Sequence, residues 1–319
     1  TTVSLSSAEG FAAGGVGILS KLCDTLCFGA ETGEAELLME TARALLSEDF
    51  SPLLRRELDG GKSFPAARAD ALAQMGLSGE ILRRPNDILA IEYLKALRRQ
   101  KAPMEPLAVL RQGAGHDGAP SGDTASASYL RTLLRSGHTD EALSYLPAPA
   151  AQVLRRELAL GQAPADLSYC HRAILARLRQ LREEDFLPYD GGKEGLYHRF
   201  YQAVRTSCSP EELLETAKTK RYPTSRLRRM LLAAYLELPE PEHIPYLRLL
   251  AASSRGCDLL RQMRGAPVLT KPADVSRLGQ TAQDLFTREA GWTDLYTLAY
   301  PDLSQSACGA DWRATPWIM

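Results

Sequence analysis

Apolar residues recur at near-helical spacing over most of the chain, and two short runs break that rhythm in favour of strand. Residues 7–21 place Phe11, Val16, Ile18 and Leu19 on one face, with Gly14, Gly15 and Gly17 allowing a neighbour to approach closely. Helical patterns follow at 33–46, 50–58 and 64–76, the last with Pro65 in its first turn. From Pro85 the run PNDILAIEYLKAL repeats Ile88, Ile91, Leu94 and Leu97, and Asn86 or Asp87 is placed to cap that helix beside free backbone N–H groups. Residues 25–28, ending at Gly29, and 107–110, behind Pro106, are short and apolar enough for parallel strands. Ser126 and Ser128 open another helix. Beyond a proline-bearing boundary in 146–153, helical period returns at 171–183, 194–206, 210–217, 225–237 and 243–263. The pattern predicts an α/β fold that is mostly helical, with a few parallel strands confined to residues 1–146 and a helical domain over 147–319.

Composition narrows the partners. The 319 residues are 45% hydrophobic and 24% charged, ordinary globular material with room for two domains. A formal charge of -1 steers nothing globally toward nucleic acid, so any RNA contact must come from a local patch. No apolar run approaches the ~20 residues of a membrane span. The six cysteines, at 23, 27, 170, 208, 257 and 308, form no CxxC, and Cys23 and Cys27 have no second Cys or His pair of metal-ligand spacing, so reduced thiols and no metal are expected.

Three features compatible with a phosphorylated ligand fall close together in sequence. Asn86 stands at a helix start. Arg111 follows the 107–110 strand, at the carboxyl end where open α/β sheets bind ligands. Ser126 begins a helix whose hydroxyl and N–H donors suit an anion. Each has a plain alternative: a helix cap, a surface charge, an ordinary helix start. Gly29, closing the first strand, lets a nucleotide approach the backbone or makes a tight turn. A second cluster lies at 218–229, where Lys218, Lys220, Arg221, Arg226, Arg228 and Arg229 occur with no acid among them and Tyr222 is interleaved. With Leu227, Met230, Leu231 and Ala234 turned inward, Arg226 and Arg229 are expected outward on a helix near its positive end. That outlines a phosphate-binding surface or a solvated basic face.

The run PNDILAIEYLKAL, followed by RQGAGHD and SASYLR, resembles the signature of the bacterial tRNA(Met) cytidine acetate ligase family of HIGH-type nucleotidylyltransferases. SAEGFAAGGVGIL at 7–19, LCFGAE at 26–31, EGLYHRF at 194–200, KTKRYPTSRLRR at 218–229 and TDLYTLAYPD at 293–302 fall in family order. The resemblance implies an incomplete Rossmann-like nucleotidylyltransferase domain, ATP with Mg2+ as cofactor, and acetate and tRNA as partners, in the cytoplasm, with neither membrane nor DNA involved. It matches Gly29 to an ATP-contacting glycine and His116 to a histidine of the glycine-rich loop, although Gly115 stands where an aromatic is usual. It assigns adenosine to Gly29 and Asn86, and phosphates to Arg111 and the Ser126 helix start. The family's first strand and H-x-G-H motif are expected upstream of Thr1, so these 319 residues are read as a portion that does not acetylate tRNA by itself, with an exposed sheet edge or apolar groove beside the retained strands.

Two other readings keep part of this pattern. A noncatalytic RNA-binding helical protein explains the basic cluster without a complete nucleotide fold. A nucleotidylyltransferase acting on a small phosphate ester explains the strand-end residues and leaves 218–229 without a purpose.

Overall fold

The computed structural model describes residues 2–111, 120, 122–190, 195–220, 222–238, 244–263 and 267–319. In chain order the longer elements are α1 (Ala8–Leu19), β1 (Thr25–Ala30), α2 (Ala35–Leu46), α3 (Phe50–Asp59), α4 (Phe64–Gln74), α5 (Pro85–Gln100) and β2 (Glu105–Leu110). Next come α6 (Ala127–Arg135), α7 (Thr139–Ser144), α8 (Ala148–Ala159), α9 (His171–Gln180), α10 (Leu196–Thr206), α11 (Pro210–Ala217) and α12 (Thr224–Leu236). The chain closes with β3 (Leu247–Arg248), β4 (Ala251–Ala252), α13 (Ser254–Gln262), β5 (Val268–Leu269), α14 (Gln280–Thr297), α15 (Ala310–Arg313) and β6 (Trp317–Ile318).

The expected fold class holds: helices dominate, and the strands among the described residues pair only in parallel, β1 with β2, β3 with β5 and β4 with β6. β1 and β2 are both longer than their apolar runs, because backbone pairing continues in register from Thr25↔Glu105 to Ala30↔Leu110. Strands are not confined to residues 1–146, since β3 to β6 lie between 247 and 318. The helix expected over 243–263 is not found, because the described residues 244–263 give β3, β4 and only then α13. Pro245 has no N–H to donate to a helical ladder, the 247–248 and 251–252 segments hydrogen-bond to 268–269 and 317–318 instead, and the Ser253 hydroxyl accepts the Gly256 N–H to start α13 afresh.

The chain divides into two compact units, neither of them continuous. The first comprises Thr1–Arg111, Leu175–Thr270 and Pro316–Met319; the second comprises Gln112–Ile174 and Lys271–Thr315. The boundary expected at 146/147 lies inside the second unit.

In the first unit α5 is the central element, packed against α1, α2 and β1. Of the apolar face expected from spacing it buries Ile91, Leu94 and Leu97, with Ile88 partly exposed, and it also buries Ala90, Asp87, Glu92 and Lys95. Buried charge is tolerated only when paired. Glu92 meets this condition with Arg68 on one oxygen and Lys95 on the other, each at 2.6 Å. Tyr93 stacks on Phe28 of β1 with centroids 5.6 Å apart, tying helix to strand. Leu26, Phe28 and Ala30 point into this core, whereas Leu107, Val109 and Leu110 of β2 are 53%, 50% and 52% exposed. Those half-bare apolar side chains leave β2 with an exposed apolar surface, where a sheet edge or apolar groove was expected.

In the second unit α6, α7 and α8 pack in sequence, and α14 packs on α15. The Asp166 carboxylate accepts the Ser168 N–H at 2.9 Å and Arg135 Nε at 2.6 Å. These bonds hold its pKa below the ordinary aspartate value: the Ser168 N–H contributes most, partial burial opposes it, and Arg135 adds to the lowering.

Candidate functional site

Parallel pairing brings the carboxyl ends of β1 and β2 side by side, and the Arg111 N–H continues the ladder by donating to the Ala30 carbonyl at 2.8 Å. Glu31 and Arg111 therefore leave the sheet as neighbours, and the first turn of α5 arrives at the same end. Asn86 lies between them. Arg111 Nη1 donates to Asn86 Oδ1 at 3.2 Å, and Asn86 Nδ2 donates to Glu31 Oε1 at 2.8 Å. Gly29, two residues upstream of Glu31, points away from the core, and a Cβ built there meets nothing within 4 Å. Three of the expected residues, Gly29, Asn86 and Arg111, thus gather at one end of one parallel pair.

Asn86 does not cap its helix, however. Arg84 is the N-cap and Pro85 opens the first turn, so Asn86 and Asp87 already lie inside α5. The Asn86 N–H that the sequence left free is taken by Glu31 Oε1 at 3.1 Å, so this helix start offers an amide side chain rather than an open anion cradle. Asp87, completely buried, returns the favour: its Oδ1 accepts the N–H groups of Glu31 at 2.7 Å and Thr32 at 3.0 Å, and its Oδ2 makes no hydrogen bond and lies 3.7 Å from Arg84 Nη1. Sequence reasoning missed Glu31 and Asp87 as members of the site. The signal was present in the adjacency of an acid to the end of each run, LCFGAE and PND, but only the three-dimensional pairing says that each acid serves the other segment.

Ser126 belongs to the second unit, where its buried hydroxyl accepts the Tyr129 N–H at 3.2 Å and caps α6. His116 lies outside the described residues.

The basic cluster divides. Lys218, Lys220 and Arg228 are exposed, and Lys218 pairs with Glu215 at 3.5 Å; Arg221 is outside the described residues. Arg226 is not the outward arginine its helical position predicts. Its Nη2 donates to the Asp190 carbonyl at 2.8 Å and to Asp190 Oδ1 at 3.3 Å, and its guanidinium lies 5.4 Å from the Tyr222 ring centroid. The acid missing from 218–229 is supplied by Asp190, which is buried and needs a cation. Arg229 is half-buried, and burial followed by the nearby Arg226 charge lowers its pKa from the usual arginine value. Among the described residues no group of three His, Cys, Asp or Glu side chains is placed to hold a metal ion, and no helix is long and apolar enough to cross a membrane.

The carboxyl ends of this parallel strand pair bring a bare glycine and a guanidinium beside an oriented amide from the first turn of α5, at the end where open α/β sheets bind ligands. The chain belongs to the HIGH nucleotidyl transferase family, whose family model matches residues 1–311, and within it to the tRNA(Met) cytidine acetate ligases. The ligase of Fervidobacterium nodosum is 30% identical over 97% of this chain and 80% of its own length. That of Kosmotoga olearia is 32% identical over 94% and 78%. Among solved structures, Thermotoga maritima TmcAL in an apo crystal form is similar with a TM-score of 0.90 and 26% identity, covering 98% of this chain and 81% of the other. The same protein bound with alpha-thio ATP is similar with a TM-score of 0.89 and 25% identity, covering 100% and 82%. The sequence of 319 residues contains no H-x-G-H.

Proposed function

We propose that this protein belongs to an ATP-dependent ligation that activates acetate and transfers the acetyl group to N4 of the anticodon wobble cytidine of elongator tRNA(Met), in the cytoplasm. The convergence of Arg111, Asn86 and Gly29 at the strand ends carries this reading. Acetate is inert toward an exocyclic amine because its carboxylate has no leaving group. Attack of a carboxylate oxygen on the α-phosphorus of ATP forms acetyl-adenylate and expels pyrophosphate; attack of the cytidine N4 on the acetyl carbon then expels AMP and, after loss of a proton, leaves the amide.

For the first step the residues at the strand ends position and neutralise charge, which is most of what such a transfer requires. Gly29 admits the nucleoside close to β1, Asn86 offers an oriented amide to its polar edge, and Arg111 offers a charged donor to phosphate. With no carboxylate cluster dedicated to a metal among the described residues, Mg2+ is proposed to arrive on the ATP phosphates. No catalyst of pyrophosphate departure is assigned, since the H-x-G-H is not in the sequence. Lys218, Lys220 and Arg228 supply exposed charge for the tRNA backbone, and a target in a single-stranded loop is open to being splayed into a pocket.

Calorimetric titration with a non-hydrolysable ATP analogue tests the nucleotide half of this proposal. Binding by the parent and weakening in Arg111→Ala are expected. A parent that binds AMP, ADP and ATP analogues no better than buffer would overturn it.

A further inference from the structure

We infer that Glu31 is a positioning residue of the nucleotide site, acting through Asn86 to set how Arg111 is presented. The inference rests on the nucleotide reading above and deepens it. An asparagine amide turns easily about its terminal torsion, and nothing within α5 chooses which of its ends faces Arg111. Glu31 makes that choice. Its carboxylate is an acceptor only and Arg111 is a donor only, so the chain Glu31–Asn86–Arg111 has a single workable polarity, with Nδ2 toward Glu31 at 2.8 Å and Oδ1 toward Arg111 at 3.2 Å. Turning the amide over would set oxygen against carboxylate and N–H against guanidinium at once.

Glu31 can impose this because it is itself held. Its side chain takes the Asn86 N–H at 3.1 Å, while the next residue along α5, Asp87, takes the Glu31 N–H at 2.7 Å and that of Thr32 at 3.0 Å. The two segments are 55 positions apart in the chain, and each carboxylate serves the other's backbone, so neither shifts without breaking the other's bonds. Asp87 is buried beneath the exchange. The consequence is an exposed arginine, otherwise free to sample many rotamers, that is docked in one direction before a ligand arrives. Preorganisation of this kind lowers the ordering cost of binding.

The test is a double-mutant cycle read by titration of a non-hydrolysable ATP analogue into the parent, Glu31→Ala, Asn86→Ala and the double variant, with melting temperatures of all four. Glu31→Ala is expected to weaken binding about tenfold in the parent background and less than about twofold when Asn86 is already alanine, the non-additivity that contacting residues show. Glu31→Gln keeps an acceptor oxygen for both Asn86 donors and is expected to recover most of the loss. Equal losses in the two backgrounds would mean that Glu31 touches the nucleotide itself or merely supports the fold, and would overturn the inference. Parental affinity in Glu31→Ala would overturn it as well. A parent that binds no analogue removes the nucleotide reading and this inference with it.

Discussion

Glu31 accepts two hydrogen bonds from Asn86, one from its backbone N–H at 3.1 Å and one from its side-chain amide at 2.8 Å. The carboxylate thereby occupies the start of α5, where the helix dipole and free N–H groups would otherwise attract an anionic ligand. Positive charge available to a phosphate is moved from the helix to Arg111, exposed at the end of β2 and hydrogen-bonded to the far side of the same amide.

Arg111→Ala should consequently weaken binding of an ATP analogue by about 1.5 to 3 kcal/mol, the range for a hydrogen bond from a charged donor. Because Arg111 is exposed, the melting temperature without ligand should stay near that of the parent. Isothermal titration on the purified variant measures the first quantity and calorimetric melting the second. Unchanged affinity would remove Arg111 from the site.

Gly29 separates fold from function by geometry. It lies in extended strand, and a Cβ there meets no protein atom within 4 Å, so Gly29→Val should leave stability unchanged or slightly raised, in line with the strand preference of a β-branched residue. The same side chain would fill the space a nucleotide needs to reach the β1 backbone. Loss of analogue binding with a parental melting temperature is the expected result; full binding would show that the nucleotide approaches elsewhere.

Asp166 gives the second unit an acid-sensitive bond. Its folded pKa is lowered, chiefly by the Ser168 N–H and further by Arg135, so its contribution to stability is complete above the unfolded aspartate value of about 3.9 and is lost as pH falls through the lower folded value. Asp166→Asn has no such proton to gain. Denaturant midpoints of the parent should therefore fall more steeply than those of the variant as pH is taken from about 5 toward about 2, and parallel curves would show that the Ser168 and Arg135 bonds do not stabilise the charged form.

How far the sequence could be read follows from which interactions are local. Helix periodicity located α1 to α5 and α9 to α12 because burial of one face is written in each segment by itself. β1 and β2 were legible for the same reason, as short apolar runs behind a proline or before a glycine, whereas the two-residue strands β3 to β6 were not. The false helix at 243–263 came from trusting periodicity across Pro245 and Ser253, both of which interrupt it. Gly29, Asn86 and Arg111 were legible as residue types at strand and helix ends, and the family resemblance drew them together. Glu31, Asp87 and the Asp190 partner of Arg226 were not, because each pairs with a residue on a different element and nothing in their own neighbourhood requires it.

That last pairing changes which arginines should matter to RNA. Arg226 donates to the Asp190 carbonyl at 2.8 Å and to its buried carboxylate at 3.3 Å, so Arg226→Ala removes the charged donor from a carboxylate that also accepts the Tyr197 N–H at 3.4 Å and should cost on the order of 1 to 3 kcal/mol of stability. It should not alter the salt dependence of tRNA binding at a temperature where the variant remains folded. Lys220 and Arg228 are exposed, so Lys220→Ala with Arg228→Ala should leave stability within about 0.5 kcal/mol of the parent. If these side chains grip tRNA, removing them should weaken binding alike across tRNA sequences, since phosphate interactions position without reading bases. For every phosphate no longer neutralised, the slope of log affinity against log salt should also flatten by about 0.7 to 0.9. Filter binding of two unrelated tRNAs across a salt series, run on the parent, Arg226→Ala and the Lys220/Arg228 double variant, separates the roles. Parent-like slopes in the double variant would make 218–229 a solvated face, and a flattened slope in Arg226→Ala would show that its bond to Asp190 opens to let it reach the RNA.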